Sequence, residues 1–272
     1  EYLTDLGQSI NLNIRGQIGI DTYTQASETI WGLGHKGSDP ANSYVGEEHY
    51  RFTNTNAIGT ANLNWKITGN QTALLLLGAE YNDNKSKNVE ANGTGLNFGE
   101  WQHVNNTATP SKSESKGWSR TVGFFGQLSW DYKSLLFLGA TGRYDIVSTM
   151  PSANRGFFYP SFSASFVPTS LAAFADLGWL SYAKVRASYA EVGQAGSYYE
   201  PYYSAVSGYS NGWYATNSIS IPYNGASAYA PGSTLYDANL KPQNTRSYEL
   251  GLDLSFFNNR FGFEYTYSKQ NV

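Results

Sequence analysis

Apolar and polar side chains alternate over residues 10–20 of this chain. One set is apolar and the other polar or charged: Ile10, Leu12, Ile14, Ile18 and Ile20 against Asn11, Asn13, Arg15, Gln17 and Asp21. Because successive side chains of an extended strand point to opposite faces, this period of two predicts a β-strand. A long strand with one apolar and one charged face suits a sheet between two environments, such as lipid outside and water inside.

The same alternation recurs along the chain and predicts nine β-strands. In chain order they cover residues 9–23, 56–68, 71–81, 118–132, 135–146, 157–167, 182–192, 245–257 and 260–269. The apolar phase predicts that eight side chains in particular point towards lipid: Leu63, Leu75, Phe124, Leu138, Phe162, Val185, Leu252 and Phe263. Residues 170–179 are predicted to form a short helical connector.

Short and long connections alternate between these strands. Tight turns are predicted at Gly69, Lys133 and Asn258, and long polar loops at 24–55, 82–117 and 194–243. Outer-membrane β-barrels have short periplasmic turns and long extracellular loops. The sequence therefore predicts an all-β fold, a transmembrane antiparallel β-barrel segment with its long loops on the extracellular side.

Composition supports a membrane barrel over a helical membrane protein. Charged residues make up 14% of the chain, below the roughly 25% of soluble domains, and aromatic residues reach 16%. The mean hydropathy is −0.43, and no apolar run approaches the ~18 residues of a spanning helix. A soluble glycan-binding β-protein shares this composition. Aromatic residues cluster near predicted strand ends, as in the girdles of membrane barrels: Trp65, Trp118, Trp130, Tyr132, Tyr248, Phe256, Phe257 and Tyr265.

Charge and chemistry exclude several function classes. A net charge of −3 disfavours nucleic acid as a partner, and the absence of cysteine excludes a disulfide framework. The histidines His35, His49 and His103 fall in predicted loops without metal-ligand spacing. No set of side chains resembles a catalytic constellation, so the sequence predicts neither an enzyme nor a bound cofactor or metal.

The loop 194–243 is rich in tyrosine. Tyrosine supplies rigid contact area and a hydroxyl for hydrogen bonds, which suits a sugar, a peptide or a partner protein. Self-packing of a long loop explains the composition equally well. The candidate contact residues, with two tryptophans from the other long loops, are Tyr198, Tyr199, Tyr202, Tyr203, Tyr209, Trp213, Tyr214, Tyr223, Tyr229, Trp31 and Trp101.

A second set of candidates lies on the polar phase of the strands. Its members are charged, and they either line a solute path or form ion pairs within the wall and with a domain inside the barrel. We favour the ion pairs for most of them. The set comprises Arg15, Arg143, Asp145, Lys184, Arg186, Glu249 and Asp253.

Three ordered segments resemble a known family. They are residues 143–164 with Arg-Tyr-Asp and Asn-Arg-Gly-Phe-Phe-Tyr-Pro-Ser-Phe-Ser-Ala, residues 183–193, and residues 239–261 with Asn-Leu-Lys-Pro and Ser-Tyr-Glu-Leu-Gly-Leu-Asp-Leu. Together they resemble the barrel of the SusC-like (RagA-like) TonB-dependent transporters of Bacteroidetes, over most of residues 118–270. The chain departs from the family pattern at Ile146-Val147-Ser148 and Val167-Pro168, at strand ends.

The resemblance implies a larger protein. Family members have a 22-stranded barrel, a plug domain inside it, and usually an N-terminal carboxypeptidase-like domain. Nine strands do not close such a barrel, and open sheet edges do not face lipid because their backbone groups would lack partners. We therefore expect residues 1–272 to be part of the barrel domain, with the plug and N-terminal domains absent from this chain.

The resemblance also implies a function. It is outer-membrane import of a nutrient, a glycan or oligosaccharide or a peptide, coupled to TonB through the absent plug. A SusD-like surface lipoprotein would close the barrel. A passive outer-membrane porin or a barrel enzyme is the alternative.

Overall fold

An antiparallel β-sheet of ten strands dominates the structure, which is a computed structural model. The sheet follows the order of the chain, and β8 (Leu180–Gln194) pairs next with β13 (Gln243–Phe256), since the four short strands between them in the chain lie outside the sheet. The structure describes residues 2–5, 9–33, 42–99, 101–174, 177–196, 203–206, 208–209, 219–220, 224–231 and 237–272.

The strands of the main sheet are long. They are β1 (Tyr2–Asp5), β2 (Ile10–Trp31), β3 (Tyr44–Thr68), β4 (Gln71–Leu96), β5 (Thr107–Tyr132), β6 (Leu136–Val147), β7 (Gly156–Phe166), β8 (Leu180–Gln194), β13 (Gln243–Phe256) and β14 (Phe261–Asn271). The four short strands are β9 (Tyr203–Val206), β10 (Gly208–Tyr209), β11 (Ile219–Ser220) and β12 (Ala228–Pro231). Single turns of 3₁₀ helix cover Val104–Asn106, Ser152–Asn154, Pro168–Ser170 and Ala172–Phe174. Within the described part of the chain, no helix has the length and apolar character to cross a membrane.

The predicted all-β, antiparallel architecture is confirmed, because every strand of the open main sheet pairs antiparallel with its neighbours. All nine predicted strands are present, and β1 adds a short tenth strand that pairs with β2. The helical connector predicted at 170–179 is only partly present, as two single 3₁₀ turns around residues 168–174.

The prediction that residues 24–55 and 82–117 form loops is wrong for most of both ranges. Strands β2 and β3 continue to Trp31 and Tyr44, and β4 and β5 continue to Leu96 and Thr107. The extensions of β4 and β5 are polar on both faces, and the extension of β3 mixes polar residues with Val45, Tyr50 and Phe52, so the regular alternation that marks the rest of each strand is absent from them. The backbone ladder continues nevertheless, because each extended strand has an equally extended neighbour.

The predicted tight turns are present at one edge of the sheet. Thr68 pairs with Gln71 across a two-residue turn, and Lys133 and Ser134 have φ of +54° and +52° between β5 and β6. The backbone N–H of Ser134 donates to Oδ1 of Asp131 over 2.8 Å, which stabilises that turn. The connections β2–β3, β4–β5, β6–β7 and β8–β13 lie at the opposite edge because the strands are antiparallel, and the longer connection β7–β8, residues 167–179, lies at the same edge as the tight turns.

The strand register places the predicted apolar residues on one face of the sheet, named the outer face below. Leu63 lies opposite Leu75, which lies opposite Leu128, and the row continues through Ala140 to Phe162. The other predicted positions share this face through their own rows. Large apolar side chains on it are exposed, and buried hydrophobic residues in the described chain are few: Val45, Leu96, Met150, Val167 and Ala183. A sheet without a conventional core needs an apolar surrounding for this face.

The apolar band on the outer face has the height of a membrane core. On β4 it runs from Ala73 to Tyr81, about nine residues, which is what a tilted strand needs to cross the ~25 Å apolar belt of a barrel. Trp65 and Trp130 flank Ala73 in one row at the tight-turn end of the band. Beyond Tyr81 the same face carries Asp83, Lys85 and Lys87, so the apolar surface ends there.

Two neighbouring residues of β5 test which face meets lipid. Leu128 lies on the outer face between Leu75 and Ala140, and Gln127 lies on the opposite face between Leu76 and Thr141. We expect Leu128→Arg to lower the free energy of unfolding by about 1–3 kcal/mol, since a charge within the apolar band, one row from its middle at Leu77, loses its hydration. Gln127→Arg should change it by much less. Reversible unfolding in phospholipid vesicles measures both, and equal losses in the two variants would contradict the assignment of the faces.

Candidate functional site

The polar face of the sheet, named the inner face, carries the charged residues singled out from the sequence. The strand register brings all seven to this one face: Arg15, Arg143, Asp145, Lys184, Arg186, Glu249 and Asp253. Their common face follows from backbone pairing alone, because residues directly opposite in a ladder point the same way. Their contact with a lumen or a plug stays a prediction.

An arginine at the centre of the inner face connects three strands. Nη2 of Arg143 on β6 lies 3.0 Å from Oε2 of Glu80 on β4, and its Nε lies 2.8 Å from Oδ1 of Asp145. The hydroxyl of Tyr159 on β7 donates to the other carboxylate oxygen of Asp145. The guanidinium carbon lies 5.6 Å from the ring centroid of Phe125. One cation thus balances part of the charge of two carboxylates inside the wall.

Two glycines make this arrangement possible. Glu80 and Asp145 both lie opposite Gly123 on β5, so Arg143 reaches Glu80 across the backbone of that strand. A Cβ at Gly123 would lie 2.5 Å from both Nη2 of Arg143 and Oδ1 of Asp145. A Cβ at Gly78 would collide with the ring of Phe125. Close approach of the side chains explains why glycine stands in the middle of these strands, where it otherwise weakens a sheet.

A second arginine connects β8, β13 and β14. Nη2 of Arg186 donates to Oγ1 of Thr266 over 2.8 Å and lies 3.4 Å from Oδ1 of Asp253. The side chain crosses Gly251, where a Cβ would collide with it. The cluster has the same three parts as the one around Arg143: an arginine, a carboxylate that pairs with it, and a glycine that leaves space for the arginine side chain.

The remaining charged candidates are not brought together. Nη2 of Arg15 donates to Oε1 of Gln17 over 3.0 Å. Lys184 and Glu249 form no ion pair with any residue that the structure describes. Both line a shallow recess of about 200 Å³ together with Arg186 and the serines Ser163 and Ser188. The recess thus holds two charged groups without an ion-pair partner among the described residues, and Arg15 elsewhere on the inner face is a third.

Neutral amides cover much of the rest of the inner face, a feature that the sequence reasoning missed as a site. Nδ2 of Asn54 donates to Oδ1 of Asn82 and to Oδ1 of Asn84, each over 2.7 Å. Nδ2 of Asn56 lies 3.4 Å from Oε1 of Glu80, which joins the amides to the Arg143 cluster. The asparagines at alternate positions within residues 54–64 of the sequence could have indicated this amide surface.

The tyrosine-rich loop is described only in part. Tyr203 begins β9, Tyr229 lies in β12 opposite Ala205, and Tyr209 ends β10 opposite Ile219. The other candidates of this loop lie outside the described residues: Tyr198, Tyr199, Tyr202, Trp213, Tyr214 and Tyr223. The contact prediction for the loop therefore rests on composition.

The two candidate tryptophans from other loops lie at the long-loop edge of the sheet. Trp31 ends β2, where its ring centroid lies 5.1 Å from that of Tyr44 in the adjacent strand. Trp101 is 54% exposed and stacks on His103 with centroids 5.3 Å apart. His49 lies within β3, so its predicted position in a loop is wrong.

Asn106, which the sequence reasoning missed, holds the connection that carries Trp101. Its buried Nδ2 donates to the carbonyl oxygens of Phe98, over 2.7 Å, and Trp101, over 2.5 Å. The hydroxyl of Ser43 accepts from the N–H of Leu96 over 2.6 Å, which fixes the end of β4. Buried polar groups with these partners give the β4–β5 connection a defined shape.

Comparisons with known proteins agree on the fold. A family model described as TonB dependent receptor-like, β-barrel, matches residues 2–271. The solved structure of the RagAB peptide transporter matches with a TM-score of 0.73 and 17% identity over 98% of this chain and 29% of that chain. The RagAB peptide importer in its open-open state matches with a TM-score of 0.76 and 17% identity over 98% and 28%. The chain thus spans less than a third of those chains. A comparison with curated protein sequences gave no match.

Replacement of one glycine tests the Arg143 cluster. We expect Gly123→Ala to lower the free energy of unfolding by about 1–3 kcal/mol, because the new Cβ displaces Arg143 from Glu80 and Asp145. Gly59→Ala is the matched control, since Gly59 is also within a strand and a Cβ there meets nothing within 4 Å. Chemical denaturation in detergent micelles measures the difference, and equal stability of the two variants would refute the crowding at Gly123.

Proposed function

The chain belongs to the TonB dependent receptor-like β-barrel family, and on that premise we propose that it forms part of the wall of an outer-membrane nutrient importer. The proposed cargo is a peptide or an oligosaccharide. The observation that carries the proposal is the inner face, where neutral amides and the paired charges around Arg143 and Arg186 provide an extended polar surface. A solute with many amide or hydroxyl groups exchanges hydrogen bonds along this part of the surface.

We propose that residues 1–272 are one part of a closed barrel wall. On its free side β14 has no neighbouring strand within the described residues, and β2 beyond Ile14 lacks a partner on the side of β1. Exposed backbone N–H and C=O groups at membrane depth cost several kcal/mol each, so further strands are needed at both edges. The match to less than a third of the RagAB chains supports this proposal.

The pairing of charges within the wall bears on contact with a plug domain. Arg143 and Arg186 already have carboxylate partners within the wall, so they are poor candidates for holding a plug by ion pairs. Lys184 and Glu249 have none in the described chain. We therefore propose that the recess around these two residues is the point where the wall contacts a plug, through which TonB acts.

The proposals for the cargo and for the lipoprotein partner draw on the solved RagAB structures and on the tyrosine-rich loop. The RagAB structures are described as a peptide transporter and a peptide importer, which favours a peptide over an oligosaccharide as cargo. We propose that the tyrosine-rich loop 194–243 lies on the extracellular side with the other long connections and contacts the cargo or a SusD-like surface lipoprotein.

Energy coupling distinguishes an importer from a passive porin. Uptake of a labelled peptide pool and a labelled oligosaccharide pool is measured in cells with and without TonB. We expect accumulation that disappears when TonB is deleted or the proton gradient is collapsed. Uptake that is unchanged by both treatments would identify a passive porin.

Substitution in the tyrosine-rich loop tests its contact role. We expect Tyr202, Tyr203, Trp213 and Tyr214 replaced together by alanine to reduce uptake or lipoprotein association, because rigid aromatic contact area is lost. Barrel assembly, followed by heat-modifiable migration in gels, should survive. Trp179→Ala with Phe257→Ala is the control, because these exposed aromatic residues lie at the tight-turn edge. Unchanged uptake and unchanged lipoprotein binding in the loop variant would leave only self-packing of the loop.

A further inference from the structure

Three cations stand in one row on the outer face, above the apolar band. Arg51 on β3 lies directly opposite Lys87 on β4, and Lys87 lies directly opposite Lys116 on β5. All three residues are exposed. Neighbouring strands are about 4.8 Å apart, so the row brings three like charges close together. Like charges directly opposite in a ladder destabilise a sheet.

The wall compensates this row only in part. Nζ of Lys87 lies 3.0 Å from Oε2 of Glu114, and Nζ of Lys116 lies 2.7 Å from Oε1 of the same carboxylate. Hydrogen bonds from Lys116 and Lys87 lower the pKa of Glu114, so it carries a single full negative charge at neutral pH. Arg51 has no ionic partner among the described residues. Two positive charges of the row therefore remain without a counter-charge.

The row continues downwards into a cationic and aromatic groove. Arg51, Lys85, Lys87, Lys116 and Trp118 line a cavity of about 500 Å³. The guanidinium carbon of Arg120 lies 4.7 Å from the ring centroid of Trp118, and Nζ of Lys85 lies 5.8 Å from it. Asp83, below the groove, pairs with Arg120 over 3.1 Å and with Lys85 over 3.2 Å. The groove thus places Trp118, which lies one row beyond Asp83 and Arg120, beside the cation row.

We propose that this groove binds the phosphate groups of an outer-leaflet lipid with a large, phosphorylated sugar headgroup. The proposal rests on the membrane placement of the sheet in the proposed function. The groove lies on the outer face above the apolar band, with the row of Asp83 and Arg120 between them, so an occupant with a headgroup and acyl chains reaches both surfaces. Phosphate supplies the negative charge that the row lacks, and lysine and arginine are its common ligands.

The distance of the cations above the end of the apolar band indicates how large the lipid headgroup must be. Arg120 lies two residues beyond the level of Tyr81 and Val122, and Lys87 lies six residues beyond it. At about 3.3 Å per residue and a tilt near 45°, the cations stand roughly 5 to 14 Å above that level. The polar layer of an ordinary phospholipid leaflet is only about 6 Å thick. A phosphorylated sugar headgroup reaches the whole range.

Binding of diphosphoryl lipid A to the intact membrane protein in detergent micelles tests the proposal. We expect saturable binding and a raised Tm. Arg51→Gln, Lys87→Gln and Lys116→Gln together should weaken binding by roughly 100-fold, since each basic residue near an anionic lipid surface contributes a factor of about five. Without lipid, Arg51→Gln alone should unfold at a higher temperature than the unsubstituted protein, because the repulsion within the row is reduced while both ion pairs to Glu114 remain.

A matched control removes the same number of charges elsewhere. The control carries Lys66→Gln, Lys133→Gln and Arg260→Gln, three exposed positions at the tight-turn edge. We expect it to bind lipid A as the unsubstituted protein does. Equal weakening in both variants would show an effect of net charge and overturn the proposal. Equal binding of inorganic phosphate would show a site for a free anion. Equal binding of phosphatidylglycerol would show that the sugar headgroup is not recognised. Each of these results overturns the assignment.

Failure of this inference is separable from failure of the proposed function. Insertion into phosphatidylcholine nanodiscs needs only the apolar band and is measured independently. Insertion without any lipid A response refutes the lipid site alone. Failure of the intact protein to insert refutes the proposal that the sheet is part of a membrane-spanning wall, and it refutes the lipid site as well.

Discussion

Backbone hydrogen bonding between adjacent antiparallel strands is the constraint on which the rest of the structure depends. The sheet has almost no buried apolar interior, so the ladder and the surrounding lipid take the place of a core. Register decides function as well as stability, because a slip of one residue would exchange the two faces of a strand. The unbroken row from Leu63 through Leu128 to Phe162 shows that five neighbouring strands keep the same register.

The charged clusters on the two faces of the sheet differ in how fully they are paired with opposite charges. On the inner face, Arg143 lies between Glu80 and Asp145, and Gly123 leaves the space for it. On the outer face above the apolar band, Lys87 and Lys116 share the carboxylate of Glu114, and Arg51 in the same row has no ionic partner among the described residues. Compensated charge suits a surface along which a polar solute moves. Uncompensated charge suits a surface that holds an anion, which is the physical basis of the lipid site proposed above.

Strand length connects the membrane wall to the proposed binding surfaces. Strands β2 to β5 have 22 to 26 residues each, at least twice the roughly nine to eleven that cross a bilayer. The excess forms a paired wall beyond the apolar band, and it carries Trp31 and, through the Asn106 turn, Trp101. Aromatic candidates that sequence reasoning assigned to loose loops therefore stand at the end of a rigid sheet.

The sequence by itself determined the strands that cross the apolar band, because a period of two is visible wherever one face is apolar, as in residues 10–20 and 118–132. It also determined which charged residues share the polar phase. It did not reveal the extensions at 82–96 and 107–117, because both of their faces are polar and the period vanishes. Only tertiary structure brought Arg143 to Glu80, 63 residues away in the chain. The row of Arg51, Lys87 and Lys116 has the same origin: its members belong to three strands, and the pairing of backbone groups places them side by side.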